Sequence, residues 1–256
     1  MEQIIKSNPV LLAVCGKGGV GKTSISALVI KILSEKSDKR ILAIDADPSV
    51  GLATALGFRG ERTVNDIRND LIGRIEKGES ENRQALLAAL DYEVFAALEE
   101  RENVAFLAIG RPEKEGCYCK VNSMLRDIIE SVARNFDYVV VDGEAGIEQV
   151  NRRVLSTVTH LLLVSDASAK GLKVIETIGT LAGQAVHYQK AGLLLNRIRS
   201  EEEKNRLSLS SVIPLIGWIP EDDFIREADI AGRNLMEIPH CPAIKAVRAA
   251  ITGFID

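Results

Sequence analysis

The stretch Gly16-Lys17-Gly18-Gly19-Val20-Gly21-Lys22-Thr23 constrains this chain more than any other feature. It fits the pattern G-x-x-x-x-G-K-[ST] without a mismatch, and it lies between an apolar run at 10–15 and a helical pattern at 24–35. That context matters as much as the pattern. A strand, a glycine-rich turn and a helix N-terminus together form an anion nest. Glycines let the backbone close around phosphate oxygens where a Cβ would collide. In this reading Gly16, Gly18, Gly19, Val20, Gly21 and Ser24 surround the phosphates of a nucleotide. Lys22 reaches the β- and γ-phosphates, and the Thr23 hydroxyl ligates magnesium.

The rest of the chain keeps the same rhythm. Short apolar runs recur at 40–45, 103–109, 137–142, 160–165, 191–196 and 213–218, with helical patterns at 121–134, 171–185 and 222–231. Runs that are apolar without alternation belong to strands buried on both faces. Hydrophobic residues make up 46% of the chain but aromatics only 4%, so aliphatic side chains must fill the core. The expectation is an α/β fold: a doubly wound, mostly parallel, seven-stranded sheet with helices on both faces and the phosphate loop at its C-terminal edge. Residues 1–256 read as one P-loop domain. The stretch 63–101 breaks the rhythm, because it has no convincing strand while Leu86, Leu87, Leu90, Phe95 and Leu98 fall near helical spacing. It reads as a helical insertion that covers the sheet rather than as a lid or partner surface.

Net charge is −4 with no lysine- or arginine-rich block, which gives no footing for nucleic acid. No run of 18 apolar residues offers a membrane span, and the first apolar run is too short for a signal-peptide core. A cytoplasmic protein without a membrane partner is expected. The four cysteines, Cys15, Cys117, Cys119 and Cys241, then suggest metal or redox chemistry before disulfides.

Two acidic strand ends join the loop. Ile44-Asp45-Ala46-Asp47-Pro48 closes the second strand at the phosphate edge, with Asp47 the candidate to orient the attacking water and Asp45 its support or alternative. Val139-Val140-Val141-Asp142 resembles the Walker B strand, whose carboxylate holds magnesium through a water. Gly143-Glu144-Ala145-Gly146 follows as the candidate γ-phosphate sensor. The loop itself resembles that of the ATPases marked by K-G-G-x-G-K-[ST]. That resemblance implies that Lys17 crosses a dimer interface to the partner's nucleotide and neutralises charge on the transferred phosphoryl group. It also implies that Asn196, followed by Arg197, contacts adenine, while Ile219-Pro220-Glu221-Asp222 lines the other side of the base.

Gly116-Cys117-Tyr118-Cys119 supplies two thiolates ahead of a helical pattern, with no His or Asp close by. Two sulfurs are half of a tetrahedral or square-planar set, and a second subunit is the economical source of the rest. The phosphate loop, Asp45-Ala46-Asp47-Pro48, this cysteine pair and Asp142-Gly143-Glu144-Ala145-Gly146-Ile147-Glu148 together resemble the CooC group. These ATPases insert nickel into carbon monoxide dehydrogenase, and a close relative serves acetyl-CoA synthase. The resemblance implies a homodimer controlled by ATP and ADP, with nickel or zinc held between subunits by Cys117 and Cys119 and a nickel enzyme as client. The family's usual Thr and His are replaced here by Gly143 and Gln149, and a histidine-rich tail is lacking, with three His in all. Cys15 and Cys241 read as structural. Two other readings stand beside this one: a partitioning or positioning ATPase of the ParA and MinD type, and an iron–sulfur carrier or electron donor. The tail, with Ile244, Val247, Ile251 and Phe254 on one stripe, reads as a core helix rather than a membrane anchor.

Overall fold

Every long strand of this protein divides its side chains between two apolar layers, which is why the runs that form them are apolar throughout. A computed structural model describes residues 8–77, 83–111, 119–143, 154, 157–185, 188–209 and 212–255. In chain order the elements begin β1 (Val10–Gly16), α1 (Lys22–Ser34), β2 (Ile41–Asp45), α2 (Gly51–Leu56), α3 (Val64–Glu76) and α4 (Arg83–Ala96). They continue β3 (Glu99–Arg101), β4 (Val104–Ala108), α5 (Cys119–Ala133), β5 (Tyr138–Asp142), β6 (His160–Ser165) and α6 (Ala169–Ala185). The last are β7 (Lys190–Ile198), α7 (Glu201–Asn205), β8 (Leu215–Pro220), α8 (Asp223–Ile230) and α9 (Pro242–Ile255).

Leu12 and Val14 of β1 pack with α1, α2 and α9, whereas Ala13 and Cys15 pack with α3, α4, α5 and α6. The same alternation divides Leu161 and Leu163 from Leu162 and Val164 on β6. Each face of the sheet is therefore sealed by helices, and burial of these aliphatic side chains stabilises the fold by about 25 cal/mol per Å² removed from water.

The sheet has the order β3-β4-β2-β5-β1-β6-β7-β8. From β4 to β8 all pairings are parallel. The doubly wound, mostly parallel expectation holds, but among the described residues the sheet has eight strands where the sequence predicts seven. The extra strand, β3, pairs antiparallel with β4 at the sheet edge and lies inside the stretch read as strandless. Its sequence, Glu-Glu-Arg, carries no strand signal. The ladder to β4 holds it, and the Glu99 carboxylate fixes its start by accepting hydrogen bonds from the amides of Arg59 and Gly60. Val64, Ile67, Leu71, Leu90 and Val94 of α3 and α4 pack into the apolar layer on one face of the sheet. Phe95, expected on the same apolar face, is instead 66% exposed.

The chain passes from β1 to β2 on one side of β1 and later enters β6 on its other side. The turn after β1 therefore opens into the crevice where strand order reverses, the place where α/β sheets bind ligands. No helix among the described residues is long and apolar enough to cross a membrane.

Candidate nucleotide site

The turn between β1 and α1 is shaped by glycine. Gly16 has φ +150°, and a Cβ there would lie 2.1 Å from the Val164 carbonyl oxygen on β6. Gly21 caps α1 at φ +89°. Between them Lys22, buried at the first position of α1, folds its Nζ back to donate to the Lys17 carbonyl at 3.2 Å. The ammonium therefore already sits inside the loop it is expected to serve.

Register brings the acidic residues to this loop. Asp45 of β2 lies opposite Asp142 of β5, and Asp142 lies opposite Val14 of β1. Asp142 accepts the Thr23 hydroxyl at 2.7 Å and the Ser26 hydroxyl at 2.9 Å. This is the arrangement a Walker B carboxylate needs to orient a magnesium-ligating threonine. Burial pushes the Asp142 carboxyl up to about 6, against the two hydroxyl bonds and the Lys22 charge that lower it. Sequence reading missed Ser26, although its place one turn after Thr23 on α1 puts both hydroxyls on one helical face.

Asp45 is fully buried, and both its oxygens are engaged by backbone: Oδ1 accepts from the Asp47 amide at 3.0 Å and Oδ2 from the Leu52 amide at 2.8 Å. Burial first, and the neighbouring Asp142 charge second, push it up to about 7. Asp45 thus ties the loop after β2 to the first turn of α2. Asp47 is half-buried, with Oδ1 accepting from the Ser49 amide and hydroxyl at 2.8 and 2.7 Å. Its other oxygen has no hydrogen-bond partner among the described residues, which leaves it open to water.

Lys17 stands half-exposed on the outer side of the loop, its Nζ 4.0 Å from Asp166 Oδ2. Burial raises Asp166, but the Ser168 hydroxyl and amide and the Lys17 charge more than offset it, so the carboxyl lies below its ordinary value. Asp166 was another omission from the sequence reading; it follows β6 directly, at the same sheet edge as Asp45 and Asp142.

On the far side, a cleft of about 280 Å³ is lined by Ser24, Leu28, Asn196, Arg197, Pro220 and Ile225 among others. The residues expected around the base, Asn196, Arg197 and Pro220, are therefore brought together beside α1. Of the metal-site residues, Cys117 lies outside the described residues, as does the side chain of Cys119; so do Glu144, Ala145 and Gly146 of the sensor stretch that begins at Gly143. Among the described residues no group of three or more His, Cys, Asp or Glu is placed to hold a metal ion. Cys15 and Cys241 are buried, as their structural reading requires.

A glycine-rich nest at a strand–helix turn, a lysine inside it and a strand-end aspartate on its threonine define a P-loop ATPase. The chain belongs to the CobQ/CobB/MinD/ParA nucleotide-binding domain family, whose model matches residues 11–235. It is 38% identical over 232 residues to an ATP-binding protein of Methanocaldococcus jannaschii, covering 90% of this chain and 91% of that one. It is 28% identical over 241 residues to the carbon monoxide dehydrogenase accessory protein CooC of Rhodospirillum rubrum, covering 90% and 91%. Among solved structures it is similar to the cell division ATPase MinD of Pyrococcus furiosus, with a TM-score of 0.66 and 22% identity over 97% of this chain and 98% of the other.

Proposed function

We propose that this ATPase is a dimeric switch that carries a thiolate-bound metal ion, nickel before zinc, to a client of the carbon monoxide dehydrogenase or acetyl-CoA synthase type. The observation that carries the reading is the Cys117-Tyr118-Cys119 pair, which in sequence spans the end of the β4–α5 connection and the first residue of α5. β4 runs parallel to β2, so its connection leaves the sheet at the same edge as the phosphate loop. In this reading Lys17 acts on the partner's phosphates, Asp47 orients water, and Thr23 ligates magnesium under Asp142. Asn196, Arg197 and Pro220 border the base.

A positioning ATPase of the MinD or ParA kind draws equal support from the relatives. Against its lipid-bound form, α9 turns Ile244, Val247, Ile251 and Phe254 into the core, where no membrane can use them. Anaerobic purification followed by absorption spectroscopy and metal analysis tests the proposal. Nickel–thiolate charge-transfer bands that disappear in Cys117→Ser support it. A broad iron–sulfur band makes the protein a cluster carrier instead. Absence of metal, combined with ATP-dependent binding to DNA or vesicles, makes it a positioning ATPase.

A further inference from the structure

We propose that Asn196 and Arg197 are positioning residues that set the peptide orientation of the phosphate loop from outside, and so couple the base cleft to the phosphate nest. The inference rests on the ATPase assignment and is independent of the metal cargo. β7 pairs with β8 through a first register shift between Leu193 and Leu194, and after Leu195 opposite Trp218 it slips again before Ile198 meets Pro220. The slip falls on Asn196 and Arg197. Arg197 has φ +59°, a left-handed conformation that is uncommon for a residue with a Cβ.

The irregularity aims both side chains at the loop. Asn196 Nδ2 donates to the Val20 carbonyl at 2.8 Å, and Arg197 Nη1 donates to the Gly19 carbonyl at 3.1 Å. Two successive carbonyls are thereby held by two successive residues. A trans peptide points its N–H opposite to its C=O, so anchoring these carbonyls outward turns the amides of Val20 and Gly21 inward. Inward amides are what an anion nest consists of. Gly21 is the position that admits the prongs, since a Cβ there would lie 2.5 Å from Asn196 Nδ2 and 3.7 Å from Arg197 Nη2. Asn196 and Arg197 also line the base-side cleft, so anything seated there touches the groups that orient the loop. A strained backbone persists where surrounding contacts enforce it, and here the Arg197 amide donates to Asn196 Oδ1 at 3.0 Å while its guanidinium donates to the Gly19 carbonyl.

The test separates phosphate geometry from base contact by using a ligand without a base. Binding of magnesium tripolyphosphate and of magnesium ATP is measured by calorimetry for wild type, Arg197→Gly and Arg197→Asn. Glycine and asparagine both tolerate the left-handed backbone, so thermal stability is expected to be retained. The expected result is a loss of about tenfold for both ligands by the same factor, as for one hydrogen bond to a charged group. The gap persists at high salt, where a through-space effect of the lost charge is screened. Unchanged tripolyphosphate affinity overturns the proposal, whether or not ATP binding weakens, because Arg197 would then act on the base alone. A gap that closes at high salt overturns it too, reducing Arg197 to a distant charge. Wild type that binds neither ligand would sink the ATPase assignment itself.

Discussion

Asp45, Asp47 and Asp142 crowd one edge of the sheet, yet their hydrogen bonds assign them different work. Asp142 is committed to Thr23 and Ser26, and Asp45 to two backbone amides, so Asp47 alone retains an oxygen without a partner among the described residues. Asp47→Asn is therefore expected to keep nucleotide affinity while kcat falls about 10²–10³-fold, since water orientation counts only in the transition state. Lys22→Ala shows the opposite pattern, losing binding because the phosphates lose the cation inside their nest. Calorimetry with ADP beside steady-state hydrolysis checks both, and an Asp47→Asn protein that turns over normally moves the role elsewhere. Asp45 carries a second expectation. Its folded carboxyl titrates near 7 against an ordinary 3.8, so the folded state holds the extra proton through that window. The linkage gives stability that is full below about pH 4 and lost as pH rises through about 7, by roughly 4 kcal/mol in the nucleotide-free protein. Asp45→Asn removes that slope, and at pH 4 it costs about 1 kcal/mol because the amide cannot accept from both backbone donors. Urea denaturation of the two proteins across this pH range gives the difference curve, and parallel curves would contradict the assignment.

At the scale of elements, what the sequence shows follows from what holds each one. Strands β1, β2, β4, β5, β6 and β7 are legible because burial on both faces leaves a continuous apolar run. Helix α2 is invisible, being six residues that start at Gly51 and hold to β2 through the bond from the Leu52 amide to Asp45. β3 is invisible because only β4 and the Glu99 carboxylate organise it. At the nucleotide site the loop and its aspartates were legible from motif and order, whereas Ser26, Asp166 and the slip at Arg197 depend on three-dimensional neighbours. The helices of 63–101 do more than pack against the apolar layer. Thr63 and Asp66 cap α3 reciprocally, and Asn65 bonds the Ile109 and Gly110 carbonyls just past β4. One turn on, the buried Arg68 donates Nε to Asn122 Oδ1 in the first turn of α5 at 2.8 Å. Helix α3 thus braces both ends of the connection at whose end the cysteine pair lies. Arg68→Met is expected to cost roughly 1–2 kcal/mol, or about 2–8 °C in Tm for a chain of this size. Hydrogen exchange should quicken in the first turn of α5 with nucleotide affinity unchanged. Unaltered exchange there would mean that α5 holds its start without α3.

For the whole molecule the decisive quantity is the number of metal ions per chain. One chain offers Cys117 and Cys119, two thiolates where a closed zinc or nickel site takes four ligands. Two chains related by a two-fold axis offer four, tetrahedral for zinc and square-planar for nickel. The same association requires Lys17 to leave Asp166, and that pair is long and half-exposed, so breaking it costs little. In the proposed dimer ATP and metal would favour one assembly, and each would tighten binding of the other by the same factor. The expected outcome is one metal ion per dimer in the wild type, with none bound tightly by the monomer. Lys17→Ala should bind nucleotide as a monomer and dimerise weakly with ATP, with correspondingly weakened metal binding. Metal analysis paired with light scattering reads stoichiometry and mass together, and the Cys117→Ser, Cys119→Ser double variant supplies the control. A double variant that retains as much nickel or zinc as the wild type places the metal on other ligands. A full metal ion per wild-type monomer removes the shared site, and with it the reason for metal and ATP to act on a common dimer.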